Sequence, residues 1–258
     1  RGEPDGSFMT PMHGIFLKLA SVAIFMAMAA LIKATADTVP PGQAVFFRSL
    51  FAIPVILGWL IASGELRHGL KTANPLGHLW RALVGTAAMG FGFAGLGLLP
   101  LPEVTAIGYA APLLTVIFAA MFLGEEVRAF RIFTVALGMV GVLIILSPRL
   151  TAISDGQLGH AEALGAVVVL VGAVFAGLAQ VFVRRLVIAE KTSTIVFYFS
   201  LNAALLSLVT LPYGWEIPAA SDAAMLVLSG LLGGLGQVLL TSSYRYADAS
   251  VIAPFDYT

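Results

Sequence analysis

The chain has 258 residues, of which 59% are hydrophobic and 11% charged, and its mean hydropathy is +0.96. Soluble domains have about 25% charged residues, so this chain has too few charges to cover a soluble core of its size. Lysine and arginine balance aspartate and glutamate at 14 each, which gives no net attraction to nucleic acid, and the lack of cysteine excludes disulfides and thiolate metal sites. The composition predicts a polytopic membrane protein.

Eight apolar stretches are long enough to cross a bilayer, which takes roughly 20 residues per helix. They cover residues 12–32, 43–62, 78–97, 104–123, 130–147, 163–183, 194–211 and 223–243. A ninth helix is expected to begin near Asp248. The first stretch is interpreted as a retained span, because it is too long for a signal peptide and Lys18 interrupts it. The runs are continuous and do not alternate, so the predicted fold is all-α.

Basic residues are distributed unevenly between the two predicted sides of the membrane. With a cytoplasmic N-terminus, ten of them fall in or beside cytoplasmic segments, and only Lys33, Arg48 and Arg149 fall outside. Cytoplasmic segments of membrane proteins carry the excess of lysine and arginine. The distribution therefore predicts a cytoplasmic N-terminus.

The second half of the chain repeats the first weakly and in the same order. Residues 14–52 align without gaps on 165–203, so that 45–50 (VFFRSL) face 196–201 (VFYFSL). A repeat of five spans contains an odd number, so its second copy must lie upside down, as in many secondary transporters. We expect an N-terminal tail at 1–11, a first repeat at 12–150 and an incomplete second repeat at 161–258. A ten-helix plan of this kind would be truncated within the ninth helix.

Several motifs resemble the EamA family of the drug/metabolite transporter superfamily. They are LPLPEVTA at 99–106, YAAPL at 109–113, FLGE at 122–125, LGMVGVL at 137–143 and YRYADASVIAPFDY at 244–257. The resemblance implies two inverted five-helix repeats and a multi-pass protein of the bacterial inner membrane with both termini cytoplasmic. It also implies transport of small metabolites by alternating access, without ATP and without a cofactor.

In size and layout the chain is similar to bacterial amino-acid exporters of the YddG type, so export of amino acids, including aromatic ones, is expected from a monomer. Other substrates of the superfamily stay open, such as drug cations or nucleotide-type metabolites. Multidrug exporters of the superfamily use a glutamate in their first helix, whereas the only charge in the first span here is Lys18.

An intramembrane enzyme and a structural membrane protein are the alternatives from other classes. The sequence has no HExxH, GxSxG or Walker motif, so neither an enzyme nor a metal site is predicted. The GxGxxG pattern at 90–95 lies within an apolar helix, where small residues favour close helix packing over dinucleotide binding. The inverted repeat favours a transporter over a passive scaffold.

Polar residues at membrane depth are the candidate substrate or coupling residues, since each is costly in hydrocarbon. They are Asp256, Tyr257, Asn202, Gln237, Tyr109 and Tyr198. Asp256 is the only acid predicted to lie deep, about 12 Å along the ninth helix at 1.5 Å per residue. It is therefore expected to bind a substrate ammonium group or a coupling proton. Hydrogen bonding between helices is the alternative for Asn202 and Gln237.

Two basic residues and two prolines have open interpretations. Lys18 and Arg48 lie within about two turns of a span end, where they could snorkel to the interface or bind a substrate carboxylate. Pro112 and Pro254 stand in matching helices of the two repeats, and we expect them to act as hinges, with simple packing as the alternative. The acidic pair at 125 and 126 is expected to join a charge cluster at the end of the fourth span.

The predicted orientation can be tested in a chain that has no cysteine of its own. Single cysteines can replace Ala73, Ala152 or Ala219. The predicted orientation puts position 73 on the cytoplasmic side and positions 152 and 219 outside. An impermeant thiol reagent should label Ala152→Cys and Ala219→Cys in intact cells, and Ala73→Cys only after lysis. The reverse pattern would overturn the orientation.

Overall fold

The computed structural model describes residues 9–257 except 63, 65, 67, 68, 125–128 and 155–159. Its regular elements over these residues are helices, which confirms the all-α prediction. The α-helices are α1 Met9–Thr35, α2 Pro41–Leu50, α3 Ala52–Ala62, α4 Pro75–Leu98, α5 Leu101–Gly108, α6 Ala110–Leu123, α7 Ala129–Ser154, α8 His160–Leu186, α9 Thr192–Ser207, α10 Ala220–Tyr246 and α11 Ala249–Ile252. Short 3-10 helices follow α9 at Leu208–Thr210 and α11 at Ala253–Tyr257. The predicted acidic cluster at 125 and 126 and residues 1–8 of the predicted tail 1–11 lie outside the described residues, whereas residues 9–11 begin α1.

Seven helical stretches of the described chain are long and apolar enough to cross a membrane. They are Met12–Thr35, Pro41–Ala62, Pro75–Leu98, Leu101–Leu123, Ala161–Leu186, Thr192–Thr210 and Ala220–Tyr246. The remaining predicted span, the fifth in chain order at 130–147, falls in α7, whose described apolar segment is Ile132–Ile144. The prediction of a polytopic membrane protein is therefore confirmed.

Two of the spans have a helix break near the middle, each followed by a proline. The second span breaks at Phe51, between α2 and α3, and the fourth breaks at Tyr109, between α5 and α6. A proline follows each break three residues later, Pro54 in one span and Pro112 in the other. Proline has no N–H to bond the carbonyl four residues before it, so each helix loses one bond at its break.

The ninth predicted helix differs from the expectation. The chain forms only four residues of α-helix in α11 and then tightens into the 3-10 turn Ala253–Tyr257. Pro254 lies in this turn and is exposed, whereas Pro112 is buried. Because Pro254 cannot donate to the carbonyl four residues earlier, an uninterrupted α-helix would lose a hydrogen bond there.

Glycines allow the spans to approach closely. On α10, a Cβ at Gly234 would lie 2.9 Å from Ala52 Cα, and one at Gly230 would overlap Phe51 Cβ. Both glycines therefore seat α10 against the break between α2 and α3, as expected of small residues between membrane helices. On α4, a Cβ at Gly95 would overlap Val169 of α8, whereas one at Gly90 would meet open space.

Candidate functional site

A central cavity of about 250 Å³ lies between α1, α2, α4, α8, α9 and α10. Its wall is mostly apolar, and the polar side chains that line it are Arg48, Arg81, Gln180 and Gln237. Arg48 stands roughly 10 Å into the span that begins at Pro41, at 1.5 Å per residue. Ionisable groups at such depth usually face a cavity and mark a substrate or ion path.

Arg48 is buried and bonds only to neutral oxygens in the described chain. Its side chain is 2% exposed, and Nη2 donates to the Gly233 carbonyl at 3.3 Å and to Gln237 Oε1 at 3.5 Å. Nε and Nη1 have no hydrogen-bond partner among the described residues. A Cβ at Gly233 would lie 2.8 Å from Arg48 Nε, so this glycine leaves room for the guanidinium.

Arg81, from α4, reaches the same cavity. It is 4% exposed, and its Cζ lies 3.9 Å from the centre of the Phe199 ring, which Arg48 Cζ approaches at 5.6 Å. Its Nε and Nη1 also lack hydrogen-bond partners in the described part of the molecule. A Cβ at Gly85, one turn further on, would overlap Arg81 Nη1 and lie 2.7 Å from Phe199 Cε2. Phe199 thus supports both cations through its π-face.

The two guanidinium groups give the cavity a strong positive potential. Among the described residues, no carboxylate pairs with either one. An uncompensated charge in a low-dielectric interior is destabilising by several kcal/mol, on the order of 3–5 when a partner is removed from a buried pair. The chemistry of this cavity therefore favours an anionic ligand over a cationic one.

Lys18 and Asp256 form a separate ion pair beside this cavity. Lys18 Nζ lies 2.7 Å from Asp256 Oδ1 and 5.7 Å from the centre of the Tyr244 ring. Lys18 is 1% exposed, so it does not snorkel to the interface as one interpretation predicts, because its charge is satisfied inside the protein. Asp256 is not an isolated carboxylate as predicted: it balances Lys18, and its side chain remains 28% exposed.

Asp256 lines a second cavity of about 290 Å³ that shares Phe25, Gly92 and Phe93 with the central one. A third cavity, of about 320 Å³, lies along α1, α2 and α4 toward the ends at Thr35 and Pro41, and Phe93 belongs to its wall too. Phe93 is 7% exposed and common to all three cavities. The three cavities are therefore neighbours.

Glu190 fastens one end of the bundle. Its carboxylate Oε1 accepts hydrogen bonds from Thr72 Oγ1 at 2.7 Å, Ala73 N at 2.9 Å and Asn74 N at 3.2 Å. His78 Nε2 lies 3.8 Å from the same oxygen. The loop before α4 is thereby bound to the loop between α8 and α9. We call this the Glu190 end.

Further bonds close the Glu190 end across the predicted boundary between the repeats. Ser193 and Thr194 both donate to the Gly69 carbonyl, at 3.0 and 2.8 Å. Within the second repeat, Arg245 of α10 donates to Thr192 Oγ1 at 2.6 Å and to the Val187 carbonyl at 3.2 Å, and so binds the loop between α8 and α9 to α10.

Hydrogen bonds between described residues also cross the opposite end, which we call the Thr38 end. Thr38 Oγ1 donates to Asp222 Oδ2 at 2.8 Å, and Gln43 Nε2 donates to the Glu216 carbonyl at 2.6 Å. Thr38 and Asp222 pair in an exposed position, in contrast to the buried carboxylate at the Glu190 end.

The structure brings some of the predicted site residues to the cavity and leaves others away from it. Gln237 lines it and contacts Arg48. Tyr198 donates to the Leu70 carbonyl at 3.2 Å and packs on His78, at the Glu190 end. Asn202, one turn from Tyr198, is half-buried on the same face of α9 and does not line the cavity. Tyr109 lies at the break in the fourth span.

Tyr257 belongs to the last 3-10 turn, and its side chain lies outside the described part of the structure.

Arg81 and Gln180 are the site residues that sequence reasoning missed. Arg81 was counted among the cytoplasmic basic residues, although it falls four positions into the third predicted span. Two signals in the sequence could have identified them. Arg81 precedes Gly85 by one helical turn, and Gln180 is a polar residue within the sixth predicted span.

Seven helical stretches of the described chain are long and apolar enough to cross a membrane, and a mostly apolar cavity with four polar side chains lies between six of the helices. This arrangement fits a multi-pass membrane transporter. The family model described as the EamA-like transporter family matches residues 12–147, more than half of the chain, so the chain belongs to this family. The family is part of the drug/metabolite transporter superfamily, as the sequence motifs suggest.

Relatives share between about a quarter and a third of their residues with this chain. An uncharacterized transporter of Helicobacter pylori is 29% identical over 262 residues, covering 96% of this chain and 83% of the relative. The pseudopaline exporter CntI of Pseudomonas aeruginosa is 29% identical over 248 residues, covering 95% and 82%. An S-adenosylmethionine uptake transporter of Rickettsia bellii is 26% identical over 215 residues, covering 83% and 70%. All three are transporters, so the chain is a transporter of small metabolites, and the comparisons give no indication of an enzyme.

A solved crystal structure has a TM-score of 0.71 to this chain at 21% identity, covering 95% of this chain and 83% of the other. At that identity the likeness concerns the fold alone. It supports the helical arrangement in which α10 packs along α1 and α4 along α8.

The Lys18–Asp256 pair predicts a change in stability. Asp256→Asn should lower the melting temperature in detergent, because it leaves a buried ammonium without its counter-charge. The loss should be smaller than the roughly 3–5 kcal/mol of a fully buried pair, since Asp256 is partly exposed. Removing both charges, in Lys18→Met with Asp256→Asn, should recover part of it.

Asp248→Asn is the matched control, because Asp248 pairs with Arg184 in an exposed position. It should change the melting temperature little. A double variant no more stable than Asp256→Asn alone would contradict the assignment of Lys18 as the buried partner.

Proposed function

We propose that this chain is a secondary transporter that carries small carboxylate metabolites, amino acids foremost, through the arginine cavity. The observation that carries the proposal is the pair of buried guanidinium groups, Arg48 and Arg81, with unpartnered N–H groups in one cavity. Arginine binds carboxylates through charge-assisted and often bidentate hydrogen bonds. A substrate carboxylate would supply the counter-charge that the described chain does not.

The rest of the cavity suits the body of an amino acid. Phe25, Met28, Met89 and Phe93 give an apolar wall on which an aliphatic or aromatic side chain can pack. The volume of about 250 Å³ falls just below the range of roughly 300–1,000 Å³ typical of ligand pockets, which favours a small substrate.

The charges of the cavity disfavour the alternative substrates. A drug cation would meet two like charges, and repulsion in a low-dielectric site is strong. A nucleotide-type metabolite has suitable anionic groups, but its bulk exceeds what a cavity of this volume holds.

The proposed mechanism is alternating access between the Thr38 end and the Glu190 end. The two inverted repeats, 12–150 and 161–258, would rock against each other about the central site. The hydrogen bonds at the Glu190 end join residues 69–74 of the first repeat to 190–194 of the second, so opening there must break them. Pro112 and Pro254 would act as hinges.

The proposed direction is export across a bacterial inner membrane, with a cytoplasmic N-terminus. A proton is the proposed coupling ion, with Asp256 as its carrier, because a proton on this carboxylate would release Lys18. The Asp256→Asn variant should then lose pH-driven transport and keep substrate exchange. Retention of both activities would exclude Asp256 as the proton carrier.

Transport by the purified chain in proteoliposomes tests the carboxylate proposal. A panel of radiolabelled amino acids, each beside its decarboxylated amine, should show transport of the acids and none of the amines. Arg48→Gln and Arg81→Gln should each lower uptake of the best substrate at least about tenfold, since a hydrogen bond to a charged group contributes about 1.5–3 kcal/mol.

Arg185→Gln provides the matched control, because Arg185 is an exposed arginine at the end of α8. This variant should transport at the wild-type rate. Transport of the amines at rates equal to the acids would refute the proposal, as would wild-type rates in both cavity variants.

The hinge proposal has its own test at the break in the fourth span. Pro112→Ala restores an N–H that can bond the Gly108 carbonyl, so the break should straighten and the transport rate should fall while expression stays normal. Pro75→Ala is the control, since Pro75 occupies the first turn of α4, where the missing N–H costs nothing. An unchanged rate in Pro112→Ala would leave Pro112 with a packing role only.

A further inference from the structure

The cavity contains two positive charges, and the proposed function uses only one substrate carboxylate. Lys18 is balanced by Asp256 at 2.7 Å, so it takes no part in this account. Arg48 and Arg81 come from different helices, α2 and α4, and each has its own unpartnered Nε and Nη1 among the described residues. A single carboxylate would leave a net charge in the cavity.

The contacts of the two arginines with one ring set an upper limit on the distance between them. Arg48 Cζ and Arg81 Cζ lie 5.6 and 3.9 Å from the centre of the same Phe199 ring, so they are less than about 10 Å apart. Two carboxylates joined by a short carbon chain can span such a separation. The apolar wall formed by Met28, Met89 and Phe93 can pack against the methylene groups between them.

One further polar atom of the cavity indicates that the substrate carries an N–H donor between its carboxylates. Gln180 Oε1 is buried and has no hydrogen-bond partner within the described structure. Gln237 Oε1, in contrast, already receives Arg48 Nη2. Gln180 thus offers a free acceptor for one N–H donor of the substrate.

We propose that the preferred substrates are amino dicarboxylates, with one carboxylate on Arg48, the other on Arg81 and the amino group donating to Gln180. This inference rests on the proposed function and narrows its substrate class. A phosphoryl dianion would match the charge. It would leave the apolar wall and Gln180 without contacts, so two carboxylates fit the cavity better.

The test uses two nearly isosteric pairs, glutamate with glutamine and aspartate with asparagine. Each compound competes with transport of the best amino-acid substrate of the panel, in proteoliposomes of the full chain. The affinity for each dicarboxylate should be at least about tenfold higher than the affinity for its amide, because the amide leaves one guanidinium unpaired. In Arg81→Gln, the ratio between acid and amide should fall to about one. In Arg81→Lys, which keeps the charge and serves if the first variant does not fold, the preference for the acid should persist.

Removing the acceptor tests the third contact. Gln180→Leu should weaken the binding of glutamate several-fold and leave the binding of glutarate, which has no amino group, nearly unchanged. Arg185→Gln should leave every ratio at the wild-type value.

The outcomes separate this inference from the proposed function. Equal affinity for each acid and its amide, with both transported, would overturn the dicarboxylate inference and leave the carboxylate proposal standing. Stronger competition by a phosphate monoester than by any dicarboxylate would also overturn it. Failure of every carboxylate to compete would overturn both.

Discussion

Two guanidinium groups inside a low-dielectric bundle are the constraint around which the centre of this transporter is arranged. Arg48 and Arg81 are each nearly inaccessible, and the described chain gives neither a carboxylate. The backbone accommodates them with Gly233 and Gly85, where a Cβ would collide with their side chains. Both guanidinium groups approach the Phe199 ring, which contributes its π-face. Because such charges are costly when unpaired, the arrangement makes sense as a binding site for an anion.

The remaining architecture controls access to these charges. Phe93 belongs to the walls of the central cavity and of both neighbouring cavities. At the Glu190 end, a buried carboxylate binds three donors of the facing loop. At the Thr38 end, the bond from Thr38 to Asp222 is exposed and the bond from Gln43 to Glu216 is partly buried. The proline breaks at Phe51 and Tyr109 give the two spans a place to bend.

Sequence patterns predicted the fold far better than the site. Hydrophobic length alone located the seven stretches of the described chain that are long enough to cross a membrane, because a bilayer imposes a fixed helix length. The face of a helix is harder to predict when every face is apolar. Tyr198 and Asn202 were chosen on α9, but Phe199, on the neighbouring face, reaches the cavity. Arg81 was missed because a cation near a span end usually lies at the interface, and only tertiary packing shows that this one turns inward.

The ion pair of Lys18 shows the same limit. Two residues more than two hundred positions apart neutralise each other, and no local pattern connects α1 with the turn that contains Asp256. Close packing was more predictable: Gly230 and Gly234 form a small-residue pattern within α10 and do seat that helix against Phe51 and Ala52. Local patterns thus predict which surfaces approach, and long-range pairing decides which charges remain available for a substrate.

An experimental structure determined with a transported carboxylate compound bound would test the central claim most directly. The account predicts ligand density between Arg48 and Arg81, with carboxylate oxygens about 2.7–2.9 Å from guanidinium nitrogens. Density for the ligand elsewhere, with an acidic side chain of the protein paired to these two arginines, would contradict it.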